Sequence, residues 1–264
     1  MDEIILRLRD FLRFVYLSIF GNFKKPSNSV HILNGHFIDL NLNPSKTKFD
    51  NFLKKLNKKY FFIDFDKACE LIKNKEKVDK PLLAFSFDDG FKECSDIISP
   101  SLDEYNVKAA FFINSYSINA NEKEKQFFFK SNLKVDYYKK LMNWDDVVKL
   151  SNRGHIIGNH TSKHVAMKNL SYEYCFNEIN NCKKMIENKT LSSCDYFAFP
   201  FGLSKFFDKN GLDAALKLHK FVFTSGGYES YFYKNISNVL SRRHFEANWP
   251  ISHLNYFLSI KRNY

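Results

Sequence analysis

The chain has 264 residues, 44% of them hydrophobic, enough apolar surface for one large α/β barrel or two small domains that fold without a partner. Its formal net charge of +11 would suit a polyanion, yet no nucleic-acid-binding motif accompanies it. The lysines are spread along the chain, as at Lys54, Lys55, Lys58 and Lys59, so solvated helix faces account for them. Five cysteines (Cys69, Cys94, Cys175, Cys182, Cys194), each in or beside a predicted helix and none in a CxxC pair, exclude a disulfide framework and read as reduced structural thiols.

Residues 1–23 place Ile4, Ile5, Leu8, Phe11, Leu12, Val15 and Ile19 at helical spacing, interrupted by Arg7, Arg9 and Arg13. Those charges disqualify a transmembrane span, and no cleavage pattern of a signal peptide follows. A basic amphipathic helix of this kind either lies in a membrane interface or packs on the outside of the fold. After a polar linker containing Pro26, residues 29–33 read as a strand. Residues 44–59 read as a helix, with Ser45 as N-cap and Phe49, Phe52, Leu53 and Leu56 as its inner face. A short apolar segment at 60–63 leads to a helix at 66–74. The run PLLAFSF at 81–87 then ends in DDG, the pattern of a buried parallel strand with polar residues at its carboxyl end.

Residues 95–105 are predicted as one helix and 107–113 as a strand. From 114 to 141 the periodicity fails, and an inserted loop or small helical excursion is expected, in which Phe127, Phe128 and Phe129 either stack on a ligand or bury as an apolar cluster. A helix capped by Asn143 runs to about Gly154, and a strand at 155–158 runs into NHTSKH. Further helices at 171–188 and 208–219 alternate with strands at 196–199 and 221–224. A single last strand at 239–245 and a closing helix at 251–260 complete the chain. Repeated strand–helix alternation argues for a parallel α/β barrel, whose chemistry sits at the carboxyl ends of the strands.

Two motifs carry chemistry. His160 and His164, four apart at the end of a strand, can face one metal from adjacent turns. Asp88 and Asp89 end another strand, and Gly90 permits the turn that lets both carboxylates reach one site. One carboxylate can then complete a His, His, Asp metal site while its neighbour accepts protons; alone, the Asp-Asp-Gly would be an ordinary turn.

Together FSFDDGF (85–91), HTSKH (160–164) and FAFPFG (197–202) resemble the first three motifs of the NodB-like polysaccharide deacetylases, a resemblance that extends over nearly all of residues 30–260. It implies a distorted (β/α) barrel, with residues 1–28 as an N-terminal helix and linker and 29–264 as the catalytic domain. It further implies Asp88 as catalytic base and Asp89, His160 and His164 as ligands of a divalent metal, Zn²⁺ first and Co²⁺, Mn²⁺ or Ni²⁺ as alternatives.

The third motif of the family usually has Arg where this chain has Ala198. A subgroup with Ala there takes its Arg from a late strand resembling VLSRRHF, which points to Arg242, with Arg243 second, to orient Asp88. The same subgroup places its catalytic His upstream of the DDG strand, in a segment resembling LNGHF, which points to His36; His219, His244 and His253 are the alternatives. Pro200 and Phe201 correspond to the turn whose main-chain N–H faces the oxyanion.

The implied activity is removal of an N-acetyl group from an amino sugar of a surface polysaccharide or of its nucleotide- or lipid-linked precursor. Deformylation or deacetylation of another amide, or an inactive glycan-binding homologue, are the competing readings. Without an export pattern, a cytoplasmic protein is expected, with peripheral contact at the inner membrane face through residues 1–23 as the reading that uses the first helix.

Overall fold

A computed structural model describes residues 3–39, 44–118, 120–135 and 138–264; the side chains of residues 3, 4, 6 and 7, including Ile4 and Arg7, lie outside the described residues. Helix α1 (Glu3–Phe23) precedes strand β1 (Val30–Gly35), all six of whose residues are buried. In α2 (Lys46–Leu56) the Ser45 side chain accepts the Lys48 N–H, and Phe49, Phe52, Leu53 and Leu56 are its buried face, as the spacing required. There follow β2 (Phe61–Phe62), α3 (Phe65–Lys73) and β3 (Leu82–Phe87).

The helix expected over 95–105 is split. A π-helical turn at Cys94–Ile98 gives way to α4 (Ser99–Asp103), with Pro100 in its first turn. Proline has no N–H to continue the ladder of the preceding turn, so the hydrogen-bond register changes there. Strand β4 (Ala110–Ile113) follows, then α5 (Glu122–Phe127), which runs into a second π-helical turn at Phe128–Leu133 inside the predicted insertion. Phe128 and Phe129 are buried and Phe127 is exposed, so the burial reading holds for the first two.

The remaining elements are α6 (Trp144–Asn152), β5 (Ile156–Asn159), α7 (Tyr172–Thr190), β6 (Tyr196–Ala198), α8 (Lys209–Leu218), β7 (Phe221–Thr224), β8 (Val239–Ser241), β9 (Arg243–His244) and α9 (Ile251–Leu258). Asn143 and Asp146 cap α6 reciprocally, each side chain accepting the other residue's backbone N–H. All five cysteines are free and buried, but Cys194 sits in the loop before β6, not at a helix edge as expected.

Every strand pair in the sheet is parallel, in the order β8-β7-β6-β5-β4-β3-β1-β9, with β2 pairing β3 off that path. The two ends of the order, β8 and β9, are consecutive in the chain and separated by Arg242 alone. Arg242 donates its backbone N–H to Thr224 of β7, and three residues later Phe245 donates to Asn34 of β1. The predicted single last strand is therefore two, which change partners at Arg242 and nearly close the barrel.

Alternate residues face opposite sides of the strands. Ile32, Ala84, Phe112, Ala198, Phe223 and Leu240 cluster with Phe65, Ala68, Cys69 and Ile72 of α3. Phe65 touches the rings of Phe112, Tyr196 and Phe223 from three different strands, so α3 seals the amino end of the barrel. Leu33, Leu83, Phe85, Phe87 and Phe111 face the other way and pack with α2. With one end sealed, only the carboxyl end is open for chemistry.

Two buried histidines should make the fold acid-sensitive. The His31 Nε2–H donates to the Ser27 carbonyl and its Nδ1 accepts from the Tyr228 hydroxyl. The His219 Nδ1–H donates to the Ala215 carbonyl and its Nε2 accepts from Asn159. Neutral rings satisfy both nitrogens, and burial pulls each pKa down to about 3. Below the unfolded value of about 6.5 the unfolded chain binds protons that the folded chain refuses, so stability is present near neutrality and is lost as pH falls. Each ring should remove about 1.4 kcal/mol per pH unit between roughly pH 6 and 4, which denaturant titrations across that range measure. A flat stability profile there would show that these rings are not held neutral.

Candidate active site

The site is built where four strands end. Parallel pairing of β1 with β3 sets Gly35 opposite Phe87, and Asp88 donates its N–H to the Gly35 carbonyl. His36 thus leaves β1 beside the Asp88–Asp89 corner. That corner turns one residue earlier than expected: Asp89 itself has φ 73° and Gly90 has φ 75°. Thr161 (φ 65°), His164 (φ 55°) and Phe201 (φ 61°) are also left-handed, so the site loops are held in conformations that L-residues avoid. Gly202 is needed at its own position, because a Cβ there would lie 2.2 Å from Ser225 Oγ.

Asp88 is buried and gripped by a fork. Arg242 Nη1 and Nη2 donate to its Oδ1 and Oδ2, both at 2.8 Å, and Nη1 also donates to Ser86 Oγ at 3.0 Å. Arg242 is wholly buried, its guanidinium over the Phe112 ring at 4.8 Å. Burial alone would raise the Asp88 pKa, but Arg242 and then His160 outweigh it and hold the carboxyl below the usual range. Arg243 points elsewhere, 3.7 Å from the centre of the Phe257 ring, so of the two candidates Arg242 is the one that meets Asp88.

Asp89, His160 and His164 converge, their ligand atoms all within 4.8 Å of one another. His160 Nδ1 lies 2.8 Å from the Ala198 carbonyl and His164 Nδ1 3.2 Å from the Asn132 carbonyl. A carbonyl only accepts, so each Nδ1 carries the hydrogen and each Nε2 turns a lone pair inward. Those two nitrogens face Asp89 Oδ1 at 3.5 and 3.4 Å, and that buried oxygen has no hydrogen-bond partner among the described residues. Three electron-pair donors facing one another without a proton donor fit a divalent cation. Burial pulls His164 down to about 4, whereas at His160 the carboxylates of Asp88 and Asp89 work against burial and raise it.

His36 Nε2 lies 4.0 Å from Asp89 Oδ2, its side chain 30% exposed, at the wall of a cavity of about 450 Å³. Its loop is anchored from behind: Glu93 Oε2 accepts the Ile38 N–H at 2.7 Å, and Lys139 pairs with Glu93 and donates to the Asp39 carbonyl. Phe201 lines the cavity with its ring 4.6 Å from His164, while Pro200 is buried in the turn between Phe199 and Phe201. His244 also lines the cavity, hydrogen-bonded to Glu246 at 3.1 Å. His219 lies buried against α8 and His253 against Ser18 of α1, both away from the cavity.

Sequence reasoning missed Glu246, Asn34 and Ser225 in the cavity wall, and the Asn132 carbonyl that orients His164. Glu246, two residues beyond His244 in the late segment, offered a weak signal. A main-chain carbonyl offers none.

The family model described as Polysaccharide deacetylase matches residues 75–219, more than half of the chain. The chain belongs to the polysaccharide deacetylase family. Among solved structures it resembles Streptococcus pyogenes deacetylase PplD in complex with acetate, at 18% identity and TM-score 0.64, over 90% of this chain and 100% of that one. IcaB from Ammonifex degensii aligns at 13% identity and TM-score 0.67, over 89% and 99%. A de-N-acetylase from Aggregatibacter actinomycetemcomitans aligns at 16% identity and TM-score 0.62, over 87% and 98%. At these identities the likeness is one of fold, and it agrees with the nearly closed parallel barrel of this deacetylase-family chain. No curated protein matches it.

Proposed function

We propose that this chain is a metal-dependent carbohydrate N-deacetylase that releases acetate from an N-acetylated amino sugar of a surface polysaccharide or its precursor. The observation that carries the reading is the pairing of an Arg-held carboxylate, Asp88, with the partnerless Asp89 oxygen that faces two imidazole nitrogens. Asp89, His160 and His164 would hold the ion, Zn²⁺ first, through a mixed nitrogen and oxygen donor set that also accepts Co²⁺, Mn²⁺ or Ni²⁺. When bound, such an ion supplies Lewis-acid polarisation and lowers the pKa of water.

The chain's own groups divide the rest of the work. Asp88, kept ionised by Arg242, takes the proton of the water that attacks the amide carbon. The main-chain N–H of Phe201, which lies in a left-handed turn at the cavity wall, would face the developing oxyanion. His36, which leaves β1 beside the Asp88–Asp89 corner, gives a proton to the sugar nitrogen as the C–N bond breaks. Acetate and a free amino sugar leave. The subgroup whose catalytic His precedes the DDG strand fits this arrangement, since β1 delivers His36 directly beside β3. Acetate bound to the Streptococcus pyogenes relative is the product this scheme requires.

The test is acetate release from a panel of N-acetylhexosamine glycans and nucleotide-linked precursors, before and after chelation. Activity should vanish with the metal and return with Zn²⁺. Formate release in place of acetate, or turnover that survives complete metal removal, would overturn the reading.

A further inference from the structure

Helix α1 is seated by one narrow side only. Leu17 is buried, Ser18 Oγ lies 3.0 Å from His253 Nε2, and a Cβ on Gly21 would collide with the Ser252 carbonyl at 1.9 Å, so α1 rests closely on α9. On the opposite side Ile5, Leu8, Leu12, Val15, Ile19 and Phe23 recur at three- and four-residue spacing, each between 36% and 82% exposed. Phe11, Tyr16 and Phe20, also exposed, flank this stripe and widen it to roughly half the helix circumference. Soluble surfaces rarely leave so continuous an apolar patch uncovered.

The charges beside the stripe indicate what covers it. Arg9, Arg13, Lys24 and Lys25 are exposed along and just beyond the helix, whereas Asp10 is the one acidic group among its described side chains and is spent on Arg9 at 2.9 Å. A coiled-coil partner would want a narrow seam edged by charges of both signs, but here the edges are aromatic and the nearby charge is cationic. That combination matches the boundary between anionic headgroups and acyl chains. No described helix is long and apolar enough to cross a membrane.

A chain of ring contacts links the helix to the cavity wall: Phe14 packs on His253 at 4.9 Å between ring centres, Trp249, two residues before α9, lies 6.5 Å from His253 and 5.7 Å from His244, and His244 lines the cavity. We infer that α1 docks flat on an anionic lipid surface and so holds the cavity mouth close to the headgroups. The lipid contact stands independently of the deacetylase reading; only the consequence for substrate rests on it.

The experiment is co-sedimentation of the full chain with phosphatidylcholine vesicles, with and without phosphatidylglycerol. The chain should partition onto the phosphatidylglycerol vesicles, and less so as salt is raised. Leu12→Glu/Ile19→Glu should lower that partitioning about tenfold or more, because two exposed apolar groups no longer enter the interface. Arg9→Gln/Arg13→Gln should weaken binding to the anionic vesicles selectively. Both variants should keep acetate release from a soluble substrate.

No sedimentation of the unmodified chain with either vesicle would overturn the inference. So would a dimer in solution that Leu12→Glu/Ile19→Glu splits while vesicles bind nothing. Vesicle binding without acetate release from any form would support the docking and remove the deacetylase reading instead.

Discussion

Asp88→Asn is expected to keep its divalent ion and lose turnover by about two to four orders of magnitude, the usual contribution of a positioned general base. The change preserves the shape of the side chain and leaves Asp89, His160 and His164 untouched, so metal content should equal that of the unmodified chain. Asp89→Asn should do the reverse at the first step: it replaces the carboxylate that faces both imidazoles, and metal content itself should fall. Elemental analysis beside acetate release separates the two. If Asp88→Asn lost its metal, the assignment of base and ligand to the two adjacent carboxylates would be wrong.

Arg242→Met should cost about 3–5 kcal/mol of stability, as well as most of the activity. The fork that it removes is the partner of a buried carboxylate, and breaking a buried pair from one side leaves the other charge uncompensated. The same logic makes a sharper prediction. Asp88→Asn/Arg242→Met removes both charges and should recover much of the lost stability while remaining inactive, so the two substitutions should be strongly non-additive in denaturant titrations and additive in nothing catalytic. A double variant as unstable as the sum of the single ones would mean that Arg242 matters for packing on Phe112 and Phe223, not for its charge.

Much of the site was legible because its residues sit on strand ends with strong patterns. The apolar run before DDG and the turn residues around HTSKH are enough, as sequence, to put four side chains at the open end of a barrel. His36 and Arg242 were legible only through resemblance, since a lone His after a short strand and an Arg in a late strand have no local signature. What places them is long-range: β1 pairs with β3, and β9 pairs with β1, across gaps of sequence that no periodicity spans. The split of the last strand was hidden for the same reason, because an alternating pattern cannot show a change of partner. Within 114–141 the failure of period was itself informative, but its contributions are a main-chain carbonyl behind His164 and a lysine beneath the His36 loop, neither of which composition reveals.

The closure at Arg242 ties the surroundings of Asp88 to the completion of the barrel. A chain that has reached the end of α8 already carries both imidazoles and both carboxylates. It would still lack the guanidinium that keeps Asp88 ionised, which arrives only when the two final strands bridge the opposite margins of the sheet. The segment that completes the wall of the barrel is therefore also the one that sets a buried guanidinium against Asp88.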